Sequence, residues 1–160
     1  MGFSVLENAI IAEQARRREA FRFFRPAFTD PDLIDNGMQM LARVGIDRRA
    51  AIRVADLAHG ERRLLELALV LCGDPALMLL DEPMAGAGSE ESQHMIDIID
   101  RVRGHAGILL IEHDMDAVFR LADRVTVLVE GAVIASGTPA EISANKDVRT
   151  AYLGSEDAGA

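Results

Sequence analysis

The chain has 160 residues, enough for one domain or one domain with a small subdomain, and 49% of them are hydrophobic, which suffices for a core at this length. A formal net charge of -9 argues against a nucleic-acid binder, which needs positive charge to meet phosphates. One cysteine, Cys72, excludes an internal disulfide and reads as a small core residue in a reducing compartment. No apolar run is long enough to span a membrane. At the N-terminus apolar Val5 to Ala12 precedes Arg16, Arg17 and Arg18, the reverse of a signal peptide, so a soluble, cytoplasmic protein is expected.

Helix signals dominate up to about residue 75. Val5 to Arg25 reads as a helix with a polar middle, ended by Pro26, and Arg16-Arg17-Arg18 reads as its solvated face. Thr29-Asp30-Pro31 is a helix start. Leu33, Ile34, Met38, Leu41 and Val44 then recur at helical spacing until Gly45. A polar stretch, Asp47 to Arg53, leads to Leu57-Ala58-His59-Gly60 and a third helix that stops at Gly73-Asp74-Pro75.

After residue 75 short apolar runs alternate with helix patterns, the signature of α/β units. Ala76 to Leu80 reads as a strand buried on both faces, ending in Asp81-Glu82-Pro83. The small-residue loop Ala85-Gly86-Ala87-Gly88 follows, with Ser89 as N-cap of the next helix. Ile108 to Ile111 is a second strand, ending in Glu112-His113-Asp114, and Asp116 to Ala122 a short helix. Val125 to Val129 and Ala132 to Ala135 form a hairpin around Glu130-Gly131. Thr138-Pro139-Ala140-Glu141 is a capping box, and Ser155 to Ala160 a frayed tail.

Three segments carry chemistry. A strand ending in Asp81-Glu82 places two carboxylates at the carboxyl edge of a sheet, where ligands of open α/β folds bind. One such acid can hold Mg²⁺ while the next orients or deprotonates a water, although an ordinary acidic turn has the same pattern. His113, at the end of the second strand, can hydrogen-bond a phosphate or simply sit in a solvated loop. Gly60, at a helix start, leaves backbone N–H groups to meet an anion or merely belongs to a cap.

In this order, with helices between them, the segments resemble the ATP-binding subunits of ABC transporters. Asp81-Glu82 looks like the Walker B aspartate and catalytic glutamate, and Leu57 to Glu61 like the signature motif LSGGQ. Ala85 to Gly88 sits where the D-loop lies, and His113 matches the switch histidine. The resemblance runs from about Val5 to Gly154. It leans toward branched-chain amino-acid importers through the Glu-Arg-Arg after the signature, Ile111 to Met115, Gly137-Thr138-Pro139 and Ala151-Tyr152-Leu153-Gly154.

The resemblance implies an α/β fold: a helical subdomain over residues 1–73, the C-terminal half of a RecA-like P-loop NTPase core over 74–154, and a tail over 155–160. It implies ATP and Mg²⁺ as cofactors. Asp81 would support the metal, Glu82 would polarise water and His113 would contact the terminal phosphate. Ala58, His59, Gly60 and Glu61 would face the nucleotide of a second ATPase subunit, with Gly86, Ala87 and Gly88 as D-loop. A membrane permease would be the other partner, with the chain peripheral on the inner face of the plasma membrane, not inserted in it and not bound to nucleic acid.

The sequence departs from the family pattern in one decisive respect. It contains no G-x-x-x-x-G-K-[ST], and its single lysine, Lys146, follows no glycine loop. The aromatic adenine-stacking loop and the Q-loop glutamine have no counterpart either. An N-terminally truncated chain, inactive alone, is therefore expected: a partial product, a misplaced start or one half of a split subunit. The signature has Ala58 for serine, His59 for the first glycine and Glu61 for glutamine, and Gly88 stands at the D-loop aspartate position. A non-enzymatic partner of an intact ABC ATPase is the rival expectation, and an ABC ATPase of nucleic-acid repair or translation a more distant one. Phe21, Phe23, Phe24 and Phe28 suggest core packing of the helical part or a surface that grips a permease.

Overall fold

The computed structural model describes residues 2–17 and 26–152, in two compact units, Met1–Leu109 and Leu110–Ala160. The first unit opens on α1 (Val5–Arg16). Its start is a reciprocal capping box: the Ser4 hydroxyl accepts the Glu7 N–H at 3.1 Å, and Glu7 Oε2 accepts the Ser4 N–H at 2.6 Å. The remainder of the helix expected to run to Arg25, with Arg18, Phe21, Phe23 and Phe24, lies outside the described residues.

α2 (Pro31–Arg43) begins where Thr29-Asp30-Pro31 places it, with Asp30 Oδ1 accepting the Asp32 N–H at 3.1 Å. At Gly37 a Cβ would lie 3.2 Å from Leu6 Cδ1, so the absence of a side chain lets α1 and α2 approach closely. Two 3-10 turns, Asp47–Arg49 and Val54–Asp56, form the expected polar link to α3 (His59–Cys72). The link is tied to the start of α1: Val5 N–H donates to the Ile52 carbonyl and Leu6 N–H to the Ala50 carbonyl, each at 2.9 Å. Val5, Ala9, Ile10, Leu33, Leu41, Leu65 and Ala68 are buried, giving these three helices an apolar interior.

Arg16 and Arg17 are more than a solvated face. Each places its Nε 2.7 Å from a carboxylate oxygen of Glu13, a buried residue. A desolvated carboxylate needs such partners. The hydrogen bond from Arg16, helped by Arg17 and opposed by burial, lowers the Glu13 carboxyl to about 2. Cys72, at the end of α3, sets its Sγ 3.7 Å from Glu13 Oε2. It is partly buried rather than central to the core, and burial followed by the Glu13 charge pushes its thiol upward.

β1 (Leu77–Asp81) pairs with β2 (Gly107–Ile111), and the Gly107 N–H donates to the Ala76 carbonyl at 2.9 Å. Burial on both faces of β1 is not found: Met78 is 1% exposed, but Leu77 and Leu79 are 62% and 71% exposed. Successive strand side chains point to opposite faces. The face carrying Leu77 and Leu79 therefore has no covering layer among the described residues. α4 (Ser89–Val102) buries Met95, Ile96, Ile98 and Ile99. Its N-cap is Gly88 rather than Ser89, because the Glu91 carboxylate reaches back to the Gly88 N–H at 3.2 Å.

The second unit holds α5 (Met115–Leu121), whose N-cap Asp114 accepts the Asp116 and Ala117 amides, and the antiparallel hairpin β3 (Val125–Val129) and β4 (Ala132–Gly137). Glu130 and Gly131, at φ 49° and 80°, make the two-residue turn, and two positive φ values suit the twist of such a hairpin. α6 (Pro139–Ala144) keeps the expected capping box, and α7 (Lys146–Tyr152) follows. The Thr138 amide bound to Glu141 holds that carboxyl below its usual range. Val125, Val127, Ile142 and Val148 form the core of this unit. Among the described residues no helix is long and apolar enough to cross a membrane.

Candidate functional site

Asp81 closes β1 and Glu82 follows it, both exposed. Glu82 adopts φ 44°, the left-handed region that costs a residue with a Cβ on the order of 1–3 kcal/mol. Such strain collects at sites where a side chain must point in one direction. The turn continues through Gly86, also left-handed at φ 73°, to Gly88. The hydrogen bonds Ala85 N–H to the Glu82 carbonyl and Ala87 N–H to the Met84 carbonyl, each at 3.1 Å, hold it tight.

The segment expected to act as signature opens α3. Leu57 is buried, Ala58 is the N-cap, and His59 and Gly60 form the first turn. Ala58 offers no side-chain oxygen, so the cap is made by Glu61, whose Oε2 accepts the Ala58 N–H at 3.0 Å. Glu61 Oε1 lies 2.5 Å from Arg49 Nε. The Glu61 carboxylate is thus turned to its own cap and its charge is met by arginine.

The first unit brings this segment against the loop after β1. A Cβ at Gly86 would lie 3.4 Å from His59 Cδ2, so the imidazole rests on that glycine. A Cβ at Gly60 would lie 2.5 Å from Glu91 Oε2. His94, one turn after Glu91, places its Nε2 3.0 Å from the Val44 carbonyl at the end of α2. In the second unit, His113 is exposed and its N–H donates to Glu112 Oε2 at 3.2 Å. The Glu112 side chain is 1% exposed, and its Oε2 lies 3.9 Å from His113 Nδ1.

Among the described residues no cluster of three or more metal-ligating side chains exists. Mg²⁺ commonly takes one or two carboxylates and fills its other positions with waters and phosphate oxygens, so Asp81 fits as a single supporting ligand. A phosphate cradle does not fit: the sequence has no glycine loop followed by Lys and Ser or Thr.

Arg49, Glu91 and Glu112 were not singled out by sequence reasoning as parts of this site. Glu91 had a readable signal, since Gly88 and Glu91 have the same three-residue spacing as Ala58 and Glu61. Arg49 had none, being twelve residues from its partner. Glu112 stood in the motif beside His113, but only the fold reveals its burial.

Comparison with known proteins gives the family. The profile described as "Branched-chain amino acid ATP-binding cassette transporter" matches residues 132–158. Among curated relatives, the high-affinity branched-chain amino acid transport ATP-binding protein LivG of Salmonella typhimurium is 35% identical over 158 residues, covering 94% of this chain and 62% of LivG. BraF of Pseudomonas aeruginosa, of the same description, is 33% identical with the same coverage. The chain thus spans about three fifths of the length of these relatives. Among solved structures, an inward-facing putative metal-chelate type ABC transporter superposes with a TM-score of 0.77 at 18% identity, covering 96% of this chain and 60% of that one. The ATP-binding cassette MJ1267 in its ADP conformation gives 0.72 at 21%, covering 94% and 63%. At these identities the likeness establishes an α/β ABC ATPase fold. The ABC transporter profile matches residues 3–85, just over half of the chain and inclusive of residues 57–61 and Asp81-Glu82, and the chain belongs to the ABC transporter family.

Proposed function

We propose that the chain contributes the signature, Walker B and switch elements of an ATP-binding subunit that energises an importer of branched-chain amino acids. The observation that carries this reading is the order of segments inside the matched region: a signature-like helix start, then a strand ending in Asp81-Glu82, then the glycine loop lying against that helix start. LivG and BraF, whose names carry branched-chain amino acid transport, supply the substrate class.

In this reading Asp81 would help to hold Mg²⁺, which when bound with ATP would supply positive charge against the charge that develops on the transferred phosphoryl group. Asp81 offers that metal one oxygen. Glu82, fixed by its strained backbone at the end of β1, orients the attacking water and takes its proton. His113, braced by Glu112, hydrogen-bonds the terminal phosphate. Ala58, His59, Gly60 and Glu61 face a nucleotide held by a second ATPase subunit, with Gly86, Ala87 and Gly88 beside them. Membrane permease subunits are the other partners, and the chain works at the cytoplasmic face of the membrane.

In this reading the phosphate cradle is supplied from outside these 160 residues, which hold no glycine-lysine loop. A non-enzymatic role on an intact ABC ATPase is favoured by the same absence and by Ala58, which lacks the hydroxyl that would meet a phosphate. Hydrolysis by a complex in which a P-loop-bearing segment accompanies the chain separates the two readings. Glu82→Gln should lower turnover by roughly 10²–10⁴-fold with little effect on nucleotide affinity. Unchanged turnover would remove Glu82 from the role of base.

A further inference from the structure

Two glycines from separate parts of the sequence meet one carboxylate. Glu91, in the first turn of α4, accepts the Gly88 N–H through Oε2 at 3.2 Å. The same carboxylate lies against Gly60, where a Cβ would come within 2.5 Å of Oε2 and 2.8 Å of Oε1. A Cβ at Gly60 requires the Glu91 carboxylate to shift from the position in which it holds Gly88. A second contact runs in parallel, with the His59 ring over Gly86.

The geometry points to Glu91 as a positioning residue that couples the signature turn to the D-loop: displacement at Gly60 moves the carboxylate, and the carboxylate releases or holds the Gly88 amide. This rests on reading Leu57–Glu61 and Ala85–Gly88 as those nucleotide-facing segments. The physical basis is steric and local. A carboxylate at the end of a flexible side chain yields readily to a new atom, but it then leaves the amide that depends on it. An anion brought to the start of α3 would act in the same direction, because like charges repel at short range. The two segments that would contact nucleotide thereby respond together.

The test uses assigned amide resonances of the 160-residue chain without nucleotide. Gly60→Ala and Glu91→Ala are each expected to displace the Gly88 amide. The double variant should displace it no further than Glu91→Ala alone. Glu91→Gln, which keeps an oxygen acceptor, should return Gly88 most of the way to its original position. A Gly88 resonance unmoved by Gly60→Ala, or displacements that add in the double variant, would overturn the coupling. If Gly60→Ala does not fold, Glu91→Ala decides: the Gly60 α-proton and Gly88 amide move together if Glu91 links them, and Gly60 stays in place if it does not. Since no nucleotide is present, failure here is distinct from failure of the ATPase reading, which the Glu82→Gln experiment addresses.

Discussion

Glu13 carries the clearest pH signature in the chain. Arg16 and Arg17 keep it ionised down to about 2, whereas the unfolded carboxyl titrates near 4.5. A depressed folded-state value contributes stability that is fully present above the unfolded value and is lost as pH falls toward the folded one. Between about 4.5 and 2 the chain should therefore lose stability, on the order of 1 kcal/mol from this group once solvent screening of the half-exposed Arg16 is allowed for. Urea melts at several pH values should show that slope flattened in Glu13→Gln; an unchanged slope would place the acid lability elsewhere. The spacing of Glu13 to Arg16 and Arg17 was legible in the sequence as neighbours on one helix face. The burial of Glu13 was not, because it depends on the end of α3 and Cys72 arriving from fifty-nine residues away.

At the scale of elements, starts were more legible than packing. Asp30-Pro31 and Thr138-Pro139 mark true helix starts because proline and a capping oxygen act within a few residues. Ser89 failed as a cap for an equally local reason: Glu91 reaches Gly88 first. α3 starts without a side-chain oxygen at its cap, Ala58, as α4 does at Gly88. Ala58→Ser should supply one to the first-turn amides of α3 and stabilise the fold by about 1 kcal/mol, read as a shifted urea midpoint at constant slope. No shift would mean that Glu61 already satisfies that end. The fold class was legible for the same reason as the starts. Apolar runs such as Met78 to Leu80 alternating with helical periodicity can be read without knowing what they touch. The meeting of Gly60, Glu91, His59 and Gly86 has no periodicity to announce it.

For the molecule as a whole, charge and apolar surface are unevenly placed. Residues 1–73 carry eleven basic and ten acidic residues, whereas residues 74–160 carry six and sixteen. All of the net negative charge thus lies in residues 74–160, which include Asp81 and Glu82. Beside it stands the uncovered face of β1, with Leu77 and Leu79 exposed and Leu109 of β2 at 54%. Exposed apolar strands are sites of self-association. Sedimentation should show concentration-dependent association of the chain, and Leu79→Lys should lower it while changing the stability of the folded chain by no more than about 0.5 kcal/mol. Association that persists unchanged would assign it to another surface. The sequence showed these strands as apolar, but their one-sided exposure follows only from which layers are present to cover them.

Charge and motif together imply that these residues act on nucleotide only when a phosphate cradle is supplied to them. An acid pair at a strand end, within a strongly acidic half and without a glycine-lysine loop, repels a polyphosphate. Equilibrium binding of Mg²⁺-ATP to the purified 160-residue chain, followed by calorimetry, tests this most directly. No saturable binding is expected at millimolar nucleotide. Clear binding in the micromolar range would contradict this, and would mean that another group in this chain holds the phosphates.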